Sequence, residues 1–391
     1  MKKEWVYYSL DDAVEILDTL RKPINSKERT KRIEGISESE LYPYYGVTGK
    51  VGHINDYLIE GEYVLLGEDG APFLNPLAPK AYIISGKSWV NNHAHILRSK
   101  YNNKFLQYYL NCFDYRGYVS GTTRLKLTQA QMKQIPVPVP PLEEQERIVA
   151  RIEELFSQLD SGVETLRKTK QQLAVYRQAV ITEAFPVENS TPFVCLSDIA
   201  QIIGGITKGR DLSGKETIEL PYLRVANVQN GYLDLSEIKT IILRVDEKER
   251  YLLKPGDVLY TEGGDRDKLG RGTVWRGEIK DCVHQNHIFK ARIDQSKAIP
   301  EYVAFWSMST PARNYFYQKG KQSVNLASIN KTVLSALTLP LPALEKQREI
   351  VNRIESRLSV CDRIEQTVDA ALQQAEAMRQ SILKQAFEGE L

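Results

Sequence analysis

The feature that most constrains the fold of this 391-residue chain is an internal repeat. A proline-rich stretch that begins at Pro136 returns at Leu337, and a segment with a helical pattern follows each copy. At an offset of 202 residues, 18 of the 46 positions from 140 to 185 are identical, without a gap. A match of this length indicates duplication of a structural unit, so two related halves are expected.

Shorter matches extend the repeat upstream in the same order. The matching pairs are PYYGV at 43–47 with PYLRV at 221–225, YVLLGEDG at 63–70 with DVLYTEGG at 257–264, and NNHAHILR at 91–98 with QNHIFKAR at 285–292. One such match can arise by chance, but their shared order argues against chance for the set. Each half therefore consists of a globular segment and then a helical segment, with predicted boundaries 1–141, 142–185, 186–343 and 344–391.

Both helical segments follow prolines, whose fixed φ suits the first turn of a helix. Apolar residues then recur every seven positions, which places them along one seam of a coiled coil. The first seam holds Ile152, Leu159, Leu166, Leu173 and Val180. The second holds Ile354, Cys361, Val368, Ala375 and Ile382, with Ile350, Ile364, Ala371 and Met378 in a neighbouring register. We expect the two helices to pack on each other.

The pair Ser161–Gly162 predicts a break in the first helix near Asp160. The remaining segment, 163–185, is then about 35 Å long at 1.5 Å per residue. We interpret it as a spacer between the globular segments. Ordinary amphipathic packing helices are the alternative.

The globular segments read as mixed α/β structure. Short β-branched or aromatic runs bounded by glycine and proline predict strands at 63–66, 81–85, 257–260 and 272–275. Helical runs lie at 102–113 and 300–309. The fold class predicted from these patterns is α+β, with two mixed domains and two long helices.

Net charge is only +2, which excludes a uniformly basic nucleic-acid coat. The four segments carry +3, −2, +3 and −2, and the stretches 115–142 and 302–344 each contain four cations and no acid. Cations attract phosphate, and amides or guanidinium groups can read base edges. The candidate DNA contacts are Thr122, Thr123, Arg124 and Lys126 in the first half and Lys319, Lys321, Gln322, Ser323 and Asn325 in the second, with Lys50, His53, Lys208, Arg210, Lys268 and Arg271 as secondary candidates. A solvated face is the alternative for either stretch alone.

No catalytic or metal site is predicted. The loop GRDLSGKE at 209–216 lacks the Ser/Thr that a phosphate-cradling loop needs for magnesium. Cys282, His284 and His287 suggest a zinc corner, but a fourth ligand is not apparent. The widely spaced cysteines suit reduced thiols, and there is neither a run of 18 apolar residues nor a signal-peptide core. A cytoplasmic protein is therefore expected.

Three features carry a resemblance to a known family. They are the proline-rich stretch before each helical segment (the proline box), the helix start P-L-x-x-Q-x-x-I-V at 141–149 with its copy at 343–351, in which Ala343 replaces the proline, and the two divergent globular halves. Together they resemble the type I restriction-modification specificity subunit. The resemblance implies two target recognition domains joined by an antiparallel coiled coil with a pseudo-twofold repeat. It also implies that each domain reads one half of a bipartite, asymmetric DNA target, and that the subunit is not catalytic. Its implied partners are double-stranded DNA, two modification (methyltransferase) subunits and two restriction (translocase/nuclease) subunits, which bind S-adenosylmethionine, ATP and Mg²⁺ themselves.

Two other classes stay open at this point. A degenerate methyltransferase or nuclease site would make the chain an enzyme, which methylation or cleavage by the purified chain alone would establish. A coiled-coil scaffold without a DNA role is the other, and absence of salt-sensitive duplex binding would favour it.

Overall fold

The structure, a computed structural model, describes residues 5–185, 191–266, 269–322 and 327–391, with the side chain of Gln322 left out. The chain divides into two compact units. Unit 1 comprises the chain up to Arg167 together with 368–391, and unit 2 comprises 168–367. Each unit thus combines one globular segment with part of both helical segments.

Unit 1 contains two four-stranded sheets, one two-stranded sheet and a set of helices. Its elements are β1 (Tyr7–Ser9), α1 (Leu10–Ala13), β2 (Val14–Ile16), α2 (Ser26–Ile33), β3 (Tyr42–Tyr45), β4 (Lys50–Ile54), β5 (Ile59–Glu60), β6 (Tyr63–Gly67), β7 (Ala81–Ile84), β8 (Lys87–Val90), β9 (Ala94–Ser99), α3 (Asn103–Cys112), α4 (Gln129–Lys133), β10 (Pro136–Pro138) and α5 (Leu142–Glu183), which ends in unit 2.

The first sheet of unit 1 has the antiparallel order β2-β9-β6-β7, and the second has the order β4-β3-β8-β5 with β3 and β8 parallel. All five residues of the central strand β6 are buried, because the sheet is covered on both faces. Strand β1 pairs with β10 and so ties the start of the domain to the proline box.

Unit 2 repeats this plan with additions. Its elements are β11 (Phe193–Cys195), α6 (Leu196–Ile199), β12 (Ala200–Gly204), β13 (Thr217–Leu223), β14 (Lys239–Arg244), α7 (Lys248–Tyr251), β15 (Asp257–Thr261), β16 (Gly263–Gly264), β17 (Gly272–Val274), β18 (Val283–His284), β19 (Ile288–Ile293), α8 (Pro300–Met308), α9 (Thr310–Lys319), β20 (Lys321–Gln322), β21 (Ala327–Ser328), α10 (Lys331–Ser335), β22 (Thr338–Pro340) and α11 (Leu344–Glu388), which ends in unit 1.

The strand orders β12-β19-β15-β17 and β14-β13-β18 match those of unit 1, with β13 and β18 again parallel. The offset between matching strands changes from 186 residues at β1 and β11 to 178 at Tyr44 and Tyr222, and then to 202 at β10 and β22, because each unit carries insertions that the other lacks. Helix α9 is one of them. The predicted strands and helices of the globular segments are confirmed, and so is the predicted fold class with its internal repeat.

The two long helices pack antiparallel within each unit. In unit 1, Ile148 and Ile152 of α5 cluster with Ile382 and Ala386 of α11. In unit 2, Ile354 of α11 lies in the same apolar cluster as the end of α5. The same ion pair crosses the helices in each unit, Arg379 with Asp160 in unit 1 and Arg177 with Asp362 in unit 2.

The seam positions differ in burial. The buried ones are Ile152, Leu173, Val180, Ile354, Cys361, Val368, Ala375 and Ile382, and Leu159 and Leu166 are half-buried. In the neighbouring register Ile350 is buried, whereas Ile364 and Met378 are 39% and 47% exposed. The contribution of these two residues to the helix pairing stays a prediction.

The predicted break near Asp160 is also wrong, because α5 is one continuous helix of 42 residues. A glycine inside a helix costs only about 1 kcal/mol relative to alanine. Packing along a long helix outweighs that cost, and a side chain at Gly162 would meet open space. The helical element is therefore Leu142–Glu183, longer than the spacer of 163–185.

The glutamine that the two helix starts share docks each helix on its own domain. Gln145 is buried and its amide nitrogen donates to the carbonyl of Pro140 at 2.8 Å. Gln347, equally buried, donates to the carbonyl of Pro342 at 2.8 Å and accepts from the N–H of Ile299 at 2.9 Å. The motif therefore fixes where each long helix leaves its domain.

A phenylalanine near the far end of each long helix makes a second attachment. In unit 1, the ring of Phe387 lies 5.3 Å from the ring of Tyr109 in α3. In unit 2, Phe185, at the matching repeat position, lies 5.2 Å from the ring of Trp306 in α8. In the part of the chain that is described, no helix is long and apolar enough to cross a membrane.

Candidate nucleic-acid interface

Part of the acid-free stretch 115–142, from Ser120 to Lys126, forms a small hairpin at the end of the central strand β6. Ser120 and Lys126 bridge each other, and the N–H of Leu127 donates to the carbonyl of Glu68 at 2.7 Å. The turn needs Gly121, whose φ is +102° and whose added Cβ would lie 2.4 Å from the carbonyl oxygen of Arg124. The hairpin thus holds Thr122, Thr123, Arg124 and Lys126 together on an exposed edge.

The two cations of this hairpin face carboxylates. Arg124 is 60% exposed and its Nε lies 2.7 Å from Asp69, while Lys126 is 50% exposed and lies 3.4 Å from Glu68. Exposed ion pairs contribute at most about 1 kcal/mol, so an incoming phosphate can exchange with the carboxylates. The hairpin therefore combines hydrogen-bond donors and acceptors, as base-edge reading requires.

A buried histidine supports the hairpin from below. The Nδ1 of His95 lies 2.6 Å from Asp18, and its Nε2 lies 3.0 Å from the carbonyl oxygen of Leu127. Burial by itself raises the pKa of Asp18, but the hydrogen bond and charge of His95 outweigh it, so the net pKa of Asp18 lies below its usual value. The second strand of the hairpin is thus held by a hydrogen-bonded chain from Asp18 through His95 to Leu127.

Unit 2 has a hairpin at the same place. Strand β21 pairs with β20 on one side and with β16, which follows the central strand β15, on the other. The N–H of Ile329 donates to the carbonyl of Glu262 at 2.8 Å, as Leu127 does to Glu68 in unit 1. Lys319 and Lys321 are exposed beside this hairpin. The residues Ser323, Asn325 and Lys268 lie outside the described residues, as does the side chain of Gln322.

An acid also stands beside a histidine in each unit. In unit 2 the Nδ1 of His287 lies 2.7 Å from Glu262, and in unit 1 the Nδ1 of His93 lies 3.7 Å from Asp69. His93 and His287 occupy the same repeat position, between β8 and β9 in unit 1 and between β18 and β19 in unit 2. Both hairpins are therefore bordered by a carboxylate and an imidazole.

The secondary candidates fall into different environments. Lys50 is exposed and His53 half-buried, both on β4, and Lys208 is exposed. Arg210 is half-buried, and its Nη1 donates to Glu247 at 2.8 Å. That hydrogen bond lowers the pKa of Glu247 and holds the arginine against the domain.

Arg271 is half-buried near the second hairpin. Its Nη1 lies 3.4 Å from the side-chain oxygen of Gln229. It lines a small polar pocket together with Asn230 and Arg313. Gly270, with φ +65°, leaves room there for Phe316, since a Cβ would lie 2.3 Å from that ring. The chain is therefore tightly packed behind Arg271.

Helix α2 is a basic surface that the sequence analysis missed. Its eight residues include Lys27, Arg29, Lys31 and Arg32 against the single acid Glu28. The cluster of cations at 26–33 is visible in the sequence, but the net charge of +3 taken over residues 1–141 does not reveal it. Arg29 and Arg32 lie over the rings of Tyr44 and Trp89, at 4.9 and 5.4 Å.

The zinc alternative is not supported by the geometry of the described residues. No group of three His, Cys, Asp or Glu side chains among them could hold a metal ion. The ring nitrogens of His284 lie 3.2 and 3.4 Å from the carbonyl oxygens of Tyr251 and Ile203. Burial raises the pKa of the Cys282 thiol to about 12, which disfavours the thiolate that zinc binds.

Comparison with known proteins agrees with this architecture. The family model of the type I restriction modification DNA specificity domain matches twice, over residues 2–173 and 189–374. A putative type I restriction enzyme specificity subunit of Haemophilus influenzae is 25% identical over 383 residues, which cover 94% of this chain and 91% of that protein. The EcoKI specificity subunit of Escherichia coli is 28% identical over 310 residues, covering 73% of this chain and 65% of that protein.

A solved structure shares the fold. A chain from a study of complex assembly and conformational transition in the type I restriction-modification system superposes with a TM-score of 0.70. It is 17% identical in sequence, and the alignment covers the full length of both chains.

Proposed function

The chain belongs to the type I restriction-modification DNA specificity family and is the specificity subunit of such a system, and from this premise we propose how it reads DNA. Each globular domain reads one half of a bipartite, asymmetric target through the hairpin at the end of its central strand. The bases between the two half-sites are not read.

One observation carries this proposal: the same sheet topology occurs twice, with a different hairpin at the same place each time. Unit 1 presents Thr122, Thr123, Arg124 and Lys126 there, and unit 2 presents Lys319 and Lys321. Two domains that share a fold but differ in their hairpin residues suit two different half-sites better than one continuous site. Direct readout needs such a mixture of donors and acceptors in the major groove.

The long helices are the proposed spacer and docking surface. A continuous α-helix rises about 1.5 Å per residue, so its length sets a distance that flexible linkers cannot hold. The buried glutamines Gln145 and Gln347 support this role, because they fix the angle at which each helix leaves its domain. We assign the docking of two methyltransferase subunits, and of two restriction subunits in the complete complex, to these helices.

The proposed subunit is not catalytic. The hairpins supply cations and hydroxyls and the residues that face them supply carboxylates, but among the described residues there no nucleophile is paired with a base. S-adenosylmethionine, ATP and Mg²⁺ belong to the partner subunits in this proposal. A partner that methylates a base must flip it out of the duplex, which requires DNA held in register by another subunit.

The test is a methyladenine map of a genome in which this chain is co-expressed with its methyltransferase subunit. We expect two short motifs of unrelated sequence, separated by a gap of constant length. A single continuous motif, or no motif, would contradict bipartite reading. Methylation by the purified chain alone would contradict the non-catalytic assignment.

A further inference from the structure

We propose that each unit has a second DNA contact, in which a cation seated on a buried tyrosine ring binds a backbone phosphate. The contact is made by Arg29 on Tyr44 in unit 1 and by Lys208 on Tyr222 in unit 2. This inference rests on the proposed function, since it requires duplex DNA to lie along the same faces.

The two tyrosines occupy one structural position. Tyr44 lies on β3 and is paired with Trp89 of the parallel strand β8. Tyr222 lies on β13 and is paired with Val283 of the parallel strand β18. Their exposed fractions are 3% and 1%, so both rings are fixed by packing.

Each ring has a cation over it. The guanidinium of Arg29 lies 4.9 Å from the ring centroid of Tyr44, and the ammonium of Lys208 lies 5.4 Å from that of Tyr222. Among the described residues neither cation has a carboxylate within salt-bridge distance, whereas the neighbouring Arg32 and Arg210 pair with Glu28 and Glu247. A ring holds a cation in place yet leaves its N–H groups free for phosphate.

The segments that supply the two cations begin in the same way and then diverge. The N–H of Lys22 donates to the carbonyl of Val90, and the N–H of Ile206 donates to the carbonyl of His284, at matching strand positions. Unit 1 continues into helix α2, but unit 2 continues into a glycine-containing loop. The two segments differ in structure, yet each places a cation over the equivalent tyrosine ring. A common ligand explains this coincidence better than common ancestry of the two segments.

These sites adjoin the hairpins. In unit 1 Arg21, next to Lys22, donates to Glu68, which also pairs with Lys126. In unit 2 the N–H of Asn286, next to His287, donates to the carbonyl of Ile206 at 3.0 Å. Each domain would thus hold DNA at a reading tip and at a phosphate beside it. Phosphate contacts fix the register of a protein on the duplex without reading sequence.

The test is fluorescence anisotropy of the full chain with labelled duplexes of two unrelated sequences, over a range of salt concentrations. For Arg29→Ala and for Lys208→Ala, we expect the slope of log K against log salt to fall by about 0.9 each. The affinity near 0.1 M salt should fall roughly eightfold, and equally for both duplexes. The double variant should lose about two slope units.

Three variants serve as controls. Arg29→Lys and Tyr44→Phe keep the charge and the ring, so both should retain the wild-type slope. Lys168→Ala removes one exposed charge from α5 and should leave DNA binding unchanged. Thermal melting of each variant checks the fold, and Lys208, on an exposed loop, gives an answer even where Arg29→Ala unfolds.

The outcomes separate this inference from the proposed function. Wild-type binding with unchanged slopes in both alanine variants would overturn the inference and leave the proposed function standing. A loss confined to one duplex would also overturn it, because base reading is then the role of the cation. No salt-sensitive binding by the wild-type chain would overturn both.

Discussion

At the scale of single residues, the ion pair between Arg124 and Asp69 would govern the proposed contact of the first hairpin with DNA. The guanidinium is already partnered at 2.7 Å, so a phosphate or a guanine edge has to displace or share the carboxylate. Such pairing weakens indiscriminate binding more than specific binding, because only a correct base edge offers compensating hydrogen bonds.

Substitutions of this pair should have opposite effects. Arg124→Ala should weaken binding or relax specificity at one half-site only. Asp69→Asn should raise affinity for unrelated duplex about fivefold, since one repelling charge is removed near the phosphates. Duplex titrations with each half-site mutated in turn measure both effects. Weaker binding of unrelated duplex by Asp69→Asn would contradict this account.

His284 should make unit 2 acid-sensitive. Its burial lowers its pKa to about 4, whereas an unfolded histidine titrates near 6.5. Between these values the unfolded chain binds a proton that the folded chain does not, so stability falls as pH falls. From pH 7 to pH 5 the loss is about 2 kcal/mol.

Urea denaturation at the two pH values measures this loss. The variant His284→Gln cannot titrate, so its free energy of unfolding should vary less with pH by that amount. An equal pH dependence in the variant and the wild type would refute the assignment to His284.

At the scale of elements, the glutamine at each helix start is more than a helix-capping group. Gln347 bonds Ile299 and Lys297 of the domain as well as Pro342 of the proline box, all from a fully buried side chain. Only the bond to Pro140 is seen for Gln145 among the described contacts. The helix–domain junction of unit 2 therefore depends more strongly on its glutamine.

Gln347→Ala should destabilise the chain by about 2–4 kcal/mol, because buried backbone groups lose their partners. Gln145→Ala should cost less, about 1–2 kcal/mol. Gln374→Ala, on the exposed face of the same helix α11, serves as the matched control and should change stability by under about 0.5 kcal/mol. Chemical denaturation ranks the three variants, and equal costs for Gln347 and Gln374 would disprove the junction role.

At the scale of the whole molecule, the proposed spacer predicts that helix length sets the unread gap. One heptad inserted into both α5 and α11 keeps the seam in phase and adds about 10 Å, or roughly three base pairs. The methylation motif should then keep both half-sites and gain about that many unread positions.

A four-residue insertion in both helices is the control, because it rotates the seam out of register and should abolish assembly with the methyltransferase subunits. Methyladenine mapping of cells that express each form gives the readout. A gap that does not change after the heptad insertion would refute the spacer role.

The sequence by itself determined the duplicated plan, the long helices after each proline box and the acid-free stretches. These are local patterns, since periodicity, proline and composition act between neighbours in the chain. Even so, a local signal misplaced the helix break at Gly162, because the packing of 42 continuous residues outweighs one glycine. Sequence spacing alone did not distinguish Ile364 and Met378, which are 39% and 47% exposed, from the buried seam residues.

Only the tertiary structure decided which side chains meet. Pairing across strands brought Asp69 to Arg124, Glu247 to Arg210, and the rings of Tyr44 and Tyr222 beneath Arg29 and Lys208. Each of these contacts joins residues that are 14 or more positions apart in the printed sequence. Charge counts along the chain give the number of cations, whereas the fold determines which ones remain free for phosphate, because only folding brings the competing carboxylates within reach.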